Sequence, residues 1–357
     1  MRQRSGEQAG PTIAQVARAA GVSRQTVSNA LNAPDRLRAD TLQRVLGVVD
    51  ELGYRPNRAA RNLRRRESQL VGLRINPADQ DRAGSLLDRF LHALVEHSVG
   101  AGYHILLFTP RDPDDELAGF DDLLRTTAVD AFVLTDTHRG DPRLHWLGDR
   151  DAPFVAFGRP WEDGLMHPWV DVDGAVGTGL AVDHLVALGH RRIGLVGWPE
   201  DSDVGQDRRR GWLDACVRHG IADPDLRAHC TDRTDEAMLA AGRLLDGSDP
   251  PTALVCVSDT LAMGVLGALA ERGLRAGRDV AVTGFDDSPA AAVVPPGLTS
   301  VRQPLEDVAE SIVKRLGALL SDEPLAERGE LLTPTLVVRG TTDHQRTLGK
   351  HLVEEDT

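Results

Sequence analysis

The sequence predicts an all-α head followed by an α/β body of two doubly wound parallel-sheet lobes. Three observations carry that prediction. Apolar residues recur at helical spacing in three short stretches between Thr12 and Gly53. From Gln69 onward, short apolar runs alternate with helical stretches, the pattern of parallel strands joined by crossover helices. Charge divides at the same place: residues 1–66 hold thirteen arginines against five acidic residues, +8, whereas the whole chain carries −13, leaving −21 for residues 67–357. A basic head on an acidic body points to nucleic acid at one end only.

In the head, Thr12 is placed to cap a helix whose apolar positions Ile13, Val16, Ala17 and Ala20 share one face. Gly21 permits a tight turn, and Ser23 is a fresh N-cap. In the second helix Val27, Ala30 and Leu31 point inward, so Arg24, Gln25, Ser28 and Asn29 share the exposed face. Leu42, Val45, Leu46, Val49 and Leu52 form the expected buried stripe of the third helix, with Gly53 at its C′ position. A helix-turn-helix lays the start of its second helix in the major groove, where Arg, Gln and Asn pair with base edges. The helices alone also fit a small bundle with a solvated polar face.

Pro56 then opens the run Asn57-Arg58-Ala59-Ala60-Arg61-Asn62-Leu63-Arg64. Eight residues are too few for a stable isolated helix in water, so this segment is expected to fold only upon binding DNA. Leu63 among arginines has the composition of a minor-groove wedge, although a basic linker with one incidental leucine has it too.

The run T-I-A-Q-V-A-R-A-A-G-V-S-R-Q-T-V-S-N-A-L-N, followed in order by E-L-G-Y-R-P-N-R-A-A-R-N-L, resembles the head of the LacI/GalR family of bacterial transcriptional regulators. The resemblance implies base-reading positions at Arg24, Gln25 and Asn29, hinge-helix positions at Asn57 and Ala60, a wedge at Leu63 and a basic neighbour at Arg64. With Thr26, Ser28 and Arg58 these make the expected DNA-binding set. Asn29 departs from the arginine that many members carry there, so a different operator half-site is expected.

In the body, strands are expected at residues 70–75, 104–109, 131–135, 154–157, 192–197, 253–258, 280–284 and 336–339. Helices are expected at 86–99, 174–188, 209–219, 235–246, 261–272 and 305–320. Open parallel sheets bind ligands at the carboxyl ends of their strands. That rule nominates Asn76, Asp136, Arg159, Trp198, Ser258 with Asp259, and Asp286 with Asp287. Such groups suit a hydroxylated small molecule, yet a strand-end Asp can equally cap the next helix, and Trp198 can equally fill a loop core.

The stretches D-G-A-V-G-T-G-L-A-V-D-H-L-V-A-L-G-H-R-R-I-G-L-V-G, D-R-R-R-G-W, S-D-T-L-A-M-G-V-L-G-A-L and V-T-G-F-D-D-S are similar to the effector domain of the same family, a two-lobed fold shared with periplasmic sugar-binding proteins of type I. The resemblance implies an effector-gripping Arg208 and effector carboxylate Asp286, with Ser258-Asp259 in place of a commoner Asn-Asp pair. Several sugar-responsive members carry an aromatic residue where this chain has Arg233, a role left to Trp161 or Trp169. The loop N-P-A-D-Q-D-R-A-G also lacks the common N-P-F-F. The expected effector set is therefore Arg159, Trp198, Arg208, Ser258, Asp259 and Asp286. The expected boundaries are a head at 1–56, hinge helix and linker at 57–68, two-lobed body at 69–341 and tail at 342–357. Lobe 1 takes 69–160 and 288–322, lobe 2 takes 161–287 and 323–341, and the chain crosses near 157–164, 286–300 and 321–332.

Catalytic signatures are absent: there is no G-x-S-x-G, Walker loop or H-E-x-x-H, and the spacing of His184 and His190 suits no metal. Asp171 and Asp173 have the spacing of paired acids, but Asp173 reads more simply as a helix cap. Cys216, Cys230 and Cys256 show no disulfide or metal pattern and are expected to be buried thiols. No run is long and apolar enough for a membrane span, and no signal peptide opens the chain, so a cytoplasmic location is expected. The expected protein is a homodimeric repressor on a palindromic double-stranded DNA operator, controlled by a small-molecule effector of the sugar class, with no catalytic residues, metal or cofactor. The alternatives are a solute-binding protein without a DNA function, and an activator.

Overall fold

The computed structural model describes residues 11–54, 68–75, 85–109, 116–126, 128–162, 164 and 166–342. The chain divides into two compact units, Met1–Ser68 and Gln69–Thr357.

The first unit holds α1 (Ile13–Ala20), α2 (Arg24–Asn32) and α3 (Ala39–Glu51). A capping box starts α1: Gln15 N–H donates to Thr12 Oγ1 at 3.4 Å, and Thr12 N–H donates to Gln15 Oε1 at 2.6 Å. Gly21, at φ 65°, ends α1 in the left-handed conformation that costs glycine least. Ser23 Oγ accepts from Thr26 N at 3.0 Å and starts α2. Val16, Ala17, Ala20, Val27, Ala30 and Val45 form the core. The expected α3 stripe needs correction. Leu46 and Leu52 are 43% and 39% exposed, and Val48 packs inward beside Leu42, Val45 and Val49. The buried face centres on Val45, which leaves Leu46 at its rim, while Leu52 lies past the last helical residue.

The strands of the second unit are β1 (Leu70–Arg74), β2 (His104–Phe108), β3 (Ala131–Leu134), β4 (Phe154–Phe157), β5 (Trp169–Val172), β6 (Ile193–Gly197), β7 (Arg227–His229), β8 (Ala253–Cys256), β9 (Ala281–Phe285), β10 (Thr299–Arg302), β11 (Gly329–Leu332) and β12 (Thr335–Val337). Between them lie α4 (Ser85–Gly100), α5 (Glu116–Arg125), α6 (Pro142–Gly148), α7 (Gly174–Ala187), α8 (Asp203–Arg218), α9 (Thr234–Leu245), α10 (Asp259–Glu271), α11 (Pro289–Val293) and α12 (Leu305–Leu320). One sheet runs β11-β5-β4-β3-β1-β2 with every pair parallel. The other runs β12-β10-β9-β8-β6-β7, parallel except that β12 is antiparallel to β10.

This pairing corrects the lobe boundaries. The chain leaves the first sheet after β5, at Asp173, rather than near 157–164. It returns after β10, at Gln303-Pro304, rather than near 286–300, and crosses last at Thr333-Pro334, beyond 321–332. Residues 161–172 and 323–332 thus belong with lobe 1, and residues 288–302 with lobe 2. Four strands carry no clear pattern in the sequence, and three of them, β5, β10 and β11, set these crossings. β5, β7, β10 and β11 are three or four residues long and interrupted by polar side chains, too short for periodicity to register. α8 also begins six residues earlier than expected, because Ser202 Oγ caps it by accepting from Gly205 N at 3.1 Å.

The second lobe packs a continuous core around its sheet, with Trp212 buried and its Nε1 donating to Ile193 O at 3.3 Å. Two glycines permit its close helix pairs. A Cβ on Gly211 would stand 2.0 Å from Ala175 O of α7, and one on Gly264 would stand 2.3 Å from Thr234 O of α9. The three cysteines are free and buried, as expected. Among the described residues, no helix is long and apolar enough to cross a membrane.

Candidate ligand cleft and nucleic-acid interface

Parallel strands bring their carboxyl ends to one edge of each sheet, and the polar cluster of the body gathers where those edges face. Arg159 follows β4 in the first lobe. Its Nε donates to Asp171 Oδ2 at 2.6 Å, and its Nη2 reaches Val172 O at 3.2 Å and Asp207 Oδ2 at 3.3 Å. Asp207 belongs to α8 of the second lobe, so Arg159 bridges the lobes. Burial works against the Arg159 charge, but Asp171 and Asp207 outweigh it and hold its pKa above the ordinary value. Burial likewise raises Asp207, against the pull of Arg159 and Arg210. Asp207 Oδ2 also accepts from Ala175 N at 3.1 Å, tying the bridge to the start of α7.

Arg208, next on α8, points into the second lobe's edge with its side chain 7% exposed. Its guanidinium lies 3.7 Å from the Phe285 ring centroid and 5.0 Å from that of Trp198, it donates to Val257 O, and it stands 3.8 Å from Asp286 Oδ1. Burial disfavours its charge, while Asp286, Asp232, Asp171 and Asp207 favour it. Gln303 Nε2 donates to Asp286 Oδ1 at 2.7 Å. Desolvation pushes the Asp286 carboxyl up to about 7, despite Arg208 and Gln303, with Asp259 and Asp232 adding to the rise. Asp286 also adopts φ 109° and Asp287 φ 48°, left-handed backbone that only over-determining surroundings maintain. Asp232 joins two more nominees, accepting from Trp198 Nε1 at 3.1 Å and Ser258 Oγ at 2.5 Å.

The structure thus gathers Arg159, Trp198, Arg208, Ser258 and Asp286 but turns Asp259 away. Both Asp259 oxygens are taken inside the lobe, by Ser300 Oγ at 2.6 Å and Ser288 N at 2.6 Å, so it braces β10 and α11 instead of facing the cleft. Asp173 caps α7 through Val176 N at 2.9 Å, the simpler of its two readings. Trp169 packs over Gly329 in the first lobe, whereas Trp161 lies 5.1 Å from the Arg159 guanidinium. Arg233 pairs with Asp235. Asn76 lies outside the described residues. Sequence reasoning missed Asp207, Asp232 and Gln303. Gln303 follows β10, whose four residues carry no strand pattern, so the strand-end rule does not reach it. Asp207 was legible beside Arg208 in D-R-R-R-G-W.

In the head, Arg24 and Gln25 are exposed and Thr26, Ser28 and Asn29 half-buried. Gln25 Nε2 donates to Asn29 Oδ1 at 3.0 Å, and the Thr26 hydroxyl pairs with Ser23 Oγ at 2.9 Å. Asn57, Arg58, Ala60, Leu63 and Arg64, with the expected hinge, lie outside the described residues.

A helix-turn-helix head with a two-lobed α/β body and a polar cleft is the architecture of a ligand-controlled transcriptional regulator. The family described as "Bacterial regulatory proteins, lacI family" matches residues 12–57, and "Periplasmic binding protein-like domain" matches residues 182–342. The HTH-type transcriptional regulator AglR of Rhizobium meliloti is 35% identical over 337 residues, which span 92% of this chain and 94% of that protein. Among solved structures, the lac repressor dimer bound to operator and the anti-inducer ONPF aligns with TM-score 0.79 at 26% identity, over 94% of this chain and all of that one. The transcriptional regulator CelR–cellobiose complex aligns with TM-score 0.70 at 29% identity, over 93% of this chain and 99% of that one. The chain belongs to the LacI family of bacterial transcriptional regulators. That membership removes the alternative of a solute-binding protein without a DNA function.

Proposed function

We propose that the protein is a homodimeric repressor whose hold on a palindromic operator is controlled by a sugar bound between the two lobes. The observation that carries this reading is the interlobe bridge from Arg159 to Asp207 beside the buried Arg208–Asp286 pair. A ligand shifts an equilibrium only through different affinities for two states. One that accepts hydrogen bonds from Arg208, Gln303 and Arg159 and donates to Asp286 competes, at Arg159, with a contact that joins the lobes, and so changes their closure. Trp198, held by Asp232, offers an apolar face to a sugar ring. Arg24, Gln25, Thr26, Ser28 and Asn29 face the major groove, and Asn57, Arg58, Ala60, Leu63 and Arg64 form the hinge element that enters the minor groove. Similarity to a regulator solved with cellobiose supports the sugar class, and similarity to a repressor dimer on its operator supports the assembly.

The test is calorimetric titration of the purified protein with cellobiose and a panel of mono- and disaccharides, paired with fluorescence anisotropy on an operator selected from a palindromic library. One sugar is expected to bind and change operator affinity, and Asp286→Ala is expected to abolish that response while preserving DNA binding. An Asp286→Ala protein that responds like the parent would refute the cleft assignment.

A further inference from the structure

We infer that α8 carries a two-pronged latch, Asp203 on Arg139 and Asp207 on Arg159, that holds the lobes closed in the absence of any ligand. The two carboxylates stand four residues apart on α8 of the second lobe, a turn apart on one face. Their partners follow β3 and β4, parallel neighbours in the first lobe's sheet, so the two loops lie side by side. One contact leaves two lobes free to pivot, whereas two contacts a turn apart do not. The inner prong, Arg159 with Asp207, shares the cleft with the groups that would grip a ligand. The outer prong shares no residue with Arg208, Asp286 or Gln303, so a ligand that displaces Arg159 leaves it in place.

The outer prong exceeds what a helix cap or a surface ion pair explains. A carboxylate in the first turn of a helix is favoured by the helix dipole wherever it points. Asp203 points out of its own lobe: its Oδ2 accepts from Arg139 N at 2.7 Å, across 64 positions of sequence. The Arg139 guanidinium, its side chain 65% exposed and 3.6 Å from Asp203 Oδ1, adds little in water. The backbone bond is the stronger part, because the Asp203 side chain is only 15% exposed and a hydrogen bond to a charged group is stronger than a neutral one. The N–H it meets is held in place. Gly140 N, next in the chain, donates to Glu162 Oε1, and Gly140 takes φ 71°. Arg143 Nη2 donates to the carbonyls of Thr135 and Asp136, each at 3.1 Å, and to Asp141 Oδ2 at 2.6 Å, which braces residues 135–143 within the first lobe. Asp203 therefore closes on a fixed donor, and little conformational freedom is lost when it does.

The test needs no ligand and uses the full chain. Hydrogen exchange followed by mass spectrometry reads the Arg139 amide, and acrylamide quenching reads Trp161 of the first lobe and Trp198 of the second, both partly buried. In the parent the Arg139 amide is expected to exchange slowly. Asp203→Ala is expected to speed it by about ten- to a hundred-fold, as loss of one hydrogen bond to a charged group does, and to raise tryptophan quenching as the lobes part. Asp203→Asn, which keeps an acceptor but no charge, is expected to fall between the two, and it carries the comparison if Asp203→Ala loses helix by circular dichroism. Asp207→Ala is expected to speed exchange at Arg139 as well, although Asp207 is no part of the outer prong, because the prongs hold one closure between them. Fast exchange at Arg139 in the parent, or unchanged quenching in the folded Asp203 variants, would overturn the latch. Operator affinity measured alongside separates the latch from the repressor reading above. Lobes that open with no change in operator affinity would uphold the latch and refute control of DNA binding by closure.

Discussion

The exposed polar face of α2 and the cleft of the body use the same residue types in opposite ways. Arg24 and Gln25 stand in solvent on a helix fixed by neighbours within four residues, its Ser23 cap and its own core face. Arg208 and Asp286 are 78 positions apart in sequence, largely buried, and each is held by further partners from other strand ends, Val257 and Gln303. A local surface can change its specificity without changing its fold. A buried network assembled from distant segments cannot, because removing one member leaves the others desolvated and unpaired. All five tryptophans, at 146, 161, 169, 198 and 212, lie in the body, so their fluorescence reports one side of this contrast alone.

The largest effect is expected from breaking the network. Arg208→Ala removes the cation that pairs with the Asp286 carboxylate and opens space under Phe285. Truncating one member of a buried charge pair costs about 3 kcal/mol. The midpoint of denaturant unfolding followed by tryptophan fluorescence should fall accordingly. Adding Asp286→Asn should restore part of the loss, because the stranded carboxylate is then gone. An unchanged midpoint in Arg208→Ala would show that the pair contributes nothing, and the contrast between the two regions would lose its energetic basis.

A smaller and more specific effect follows from the raised Asp286. Its folded-state pKa, about 7, lies above the ordinary 3.8, so between those values the folded chain holds a proton that the unfolded chain releases. Stability from this group is therefore complete below about 4, declines as pH rises towards 7, and changes little beyond. Comparing unfolding of the parent and Asp286→Asn at pH 5 and 8 isolates it. The parent should lose more stability than the variant on going to pH 8, and parallel behaviour would rule out a raised carboxyl. No such slope is expected from the exposed face of α2, which carries no acidic residue.

Legibility in the sequence follows the same division. The caps Thr12 and Ser23 and the inward face of Val16, Ala17, Ala20, Val27 and Ala30 could be read because each depends on residues a turn away. Leu46 and Leu52 were misjudged because periodicity gives a face but not its rim or its last turn. In the body, the strand-end rule found Arg159, Trp198, Ser258 and Asp286, whereas Arg208 came from resemblance because it lies on a helix. The rule could not tell that Asp259 turns inward to Ser288 and Ser300, since strand position does not fix where a carboxylate points. Gln303 and the lobe crossings were hidden for one reason: β5, β10 and β11 are four residues long with polar side chains among them, and so few residues carry little pattern.

The smallest expected effect lies in the head and sharpens the comparison from its other side. Ser23 Oγ accepts from Thr26 N at 3.0 Å and meets the Thr26 hydroxyl at 2.9 Å, so it fixes the first turn of the helix that carries Arg24 and Gln25. Ser23→Ala removes that cap and should cost the head about 1 kcal/mol. Because the cap is local, the tryptophan signal, its unfolding midpoint and any sugar response should remain those of the parent. Amide exchange at the start of α2 should quicken, and operator affinity should fall by a few-fold without a change in preferred sequence. Ser23→Asp, which supplies a carboxylate able to cap, should restore the slow amide exchange. A loss of body stability in Ser23→Ala would mean that the two units are energetically coupled, and the head could no longer be treated as a surface tuned independently of the cleft.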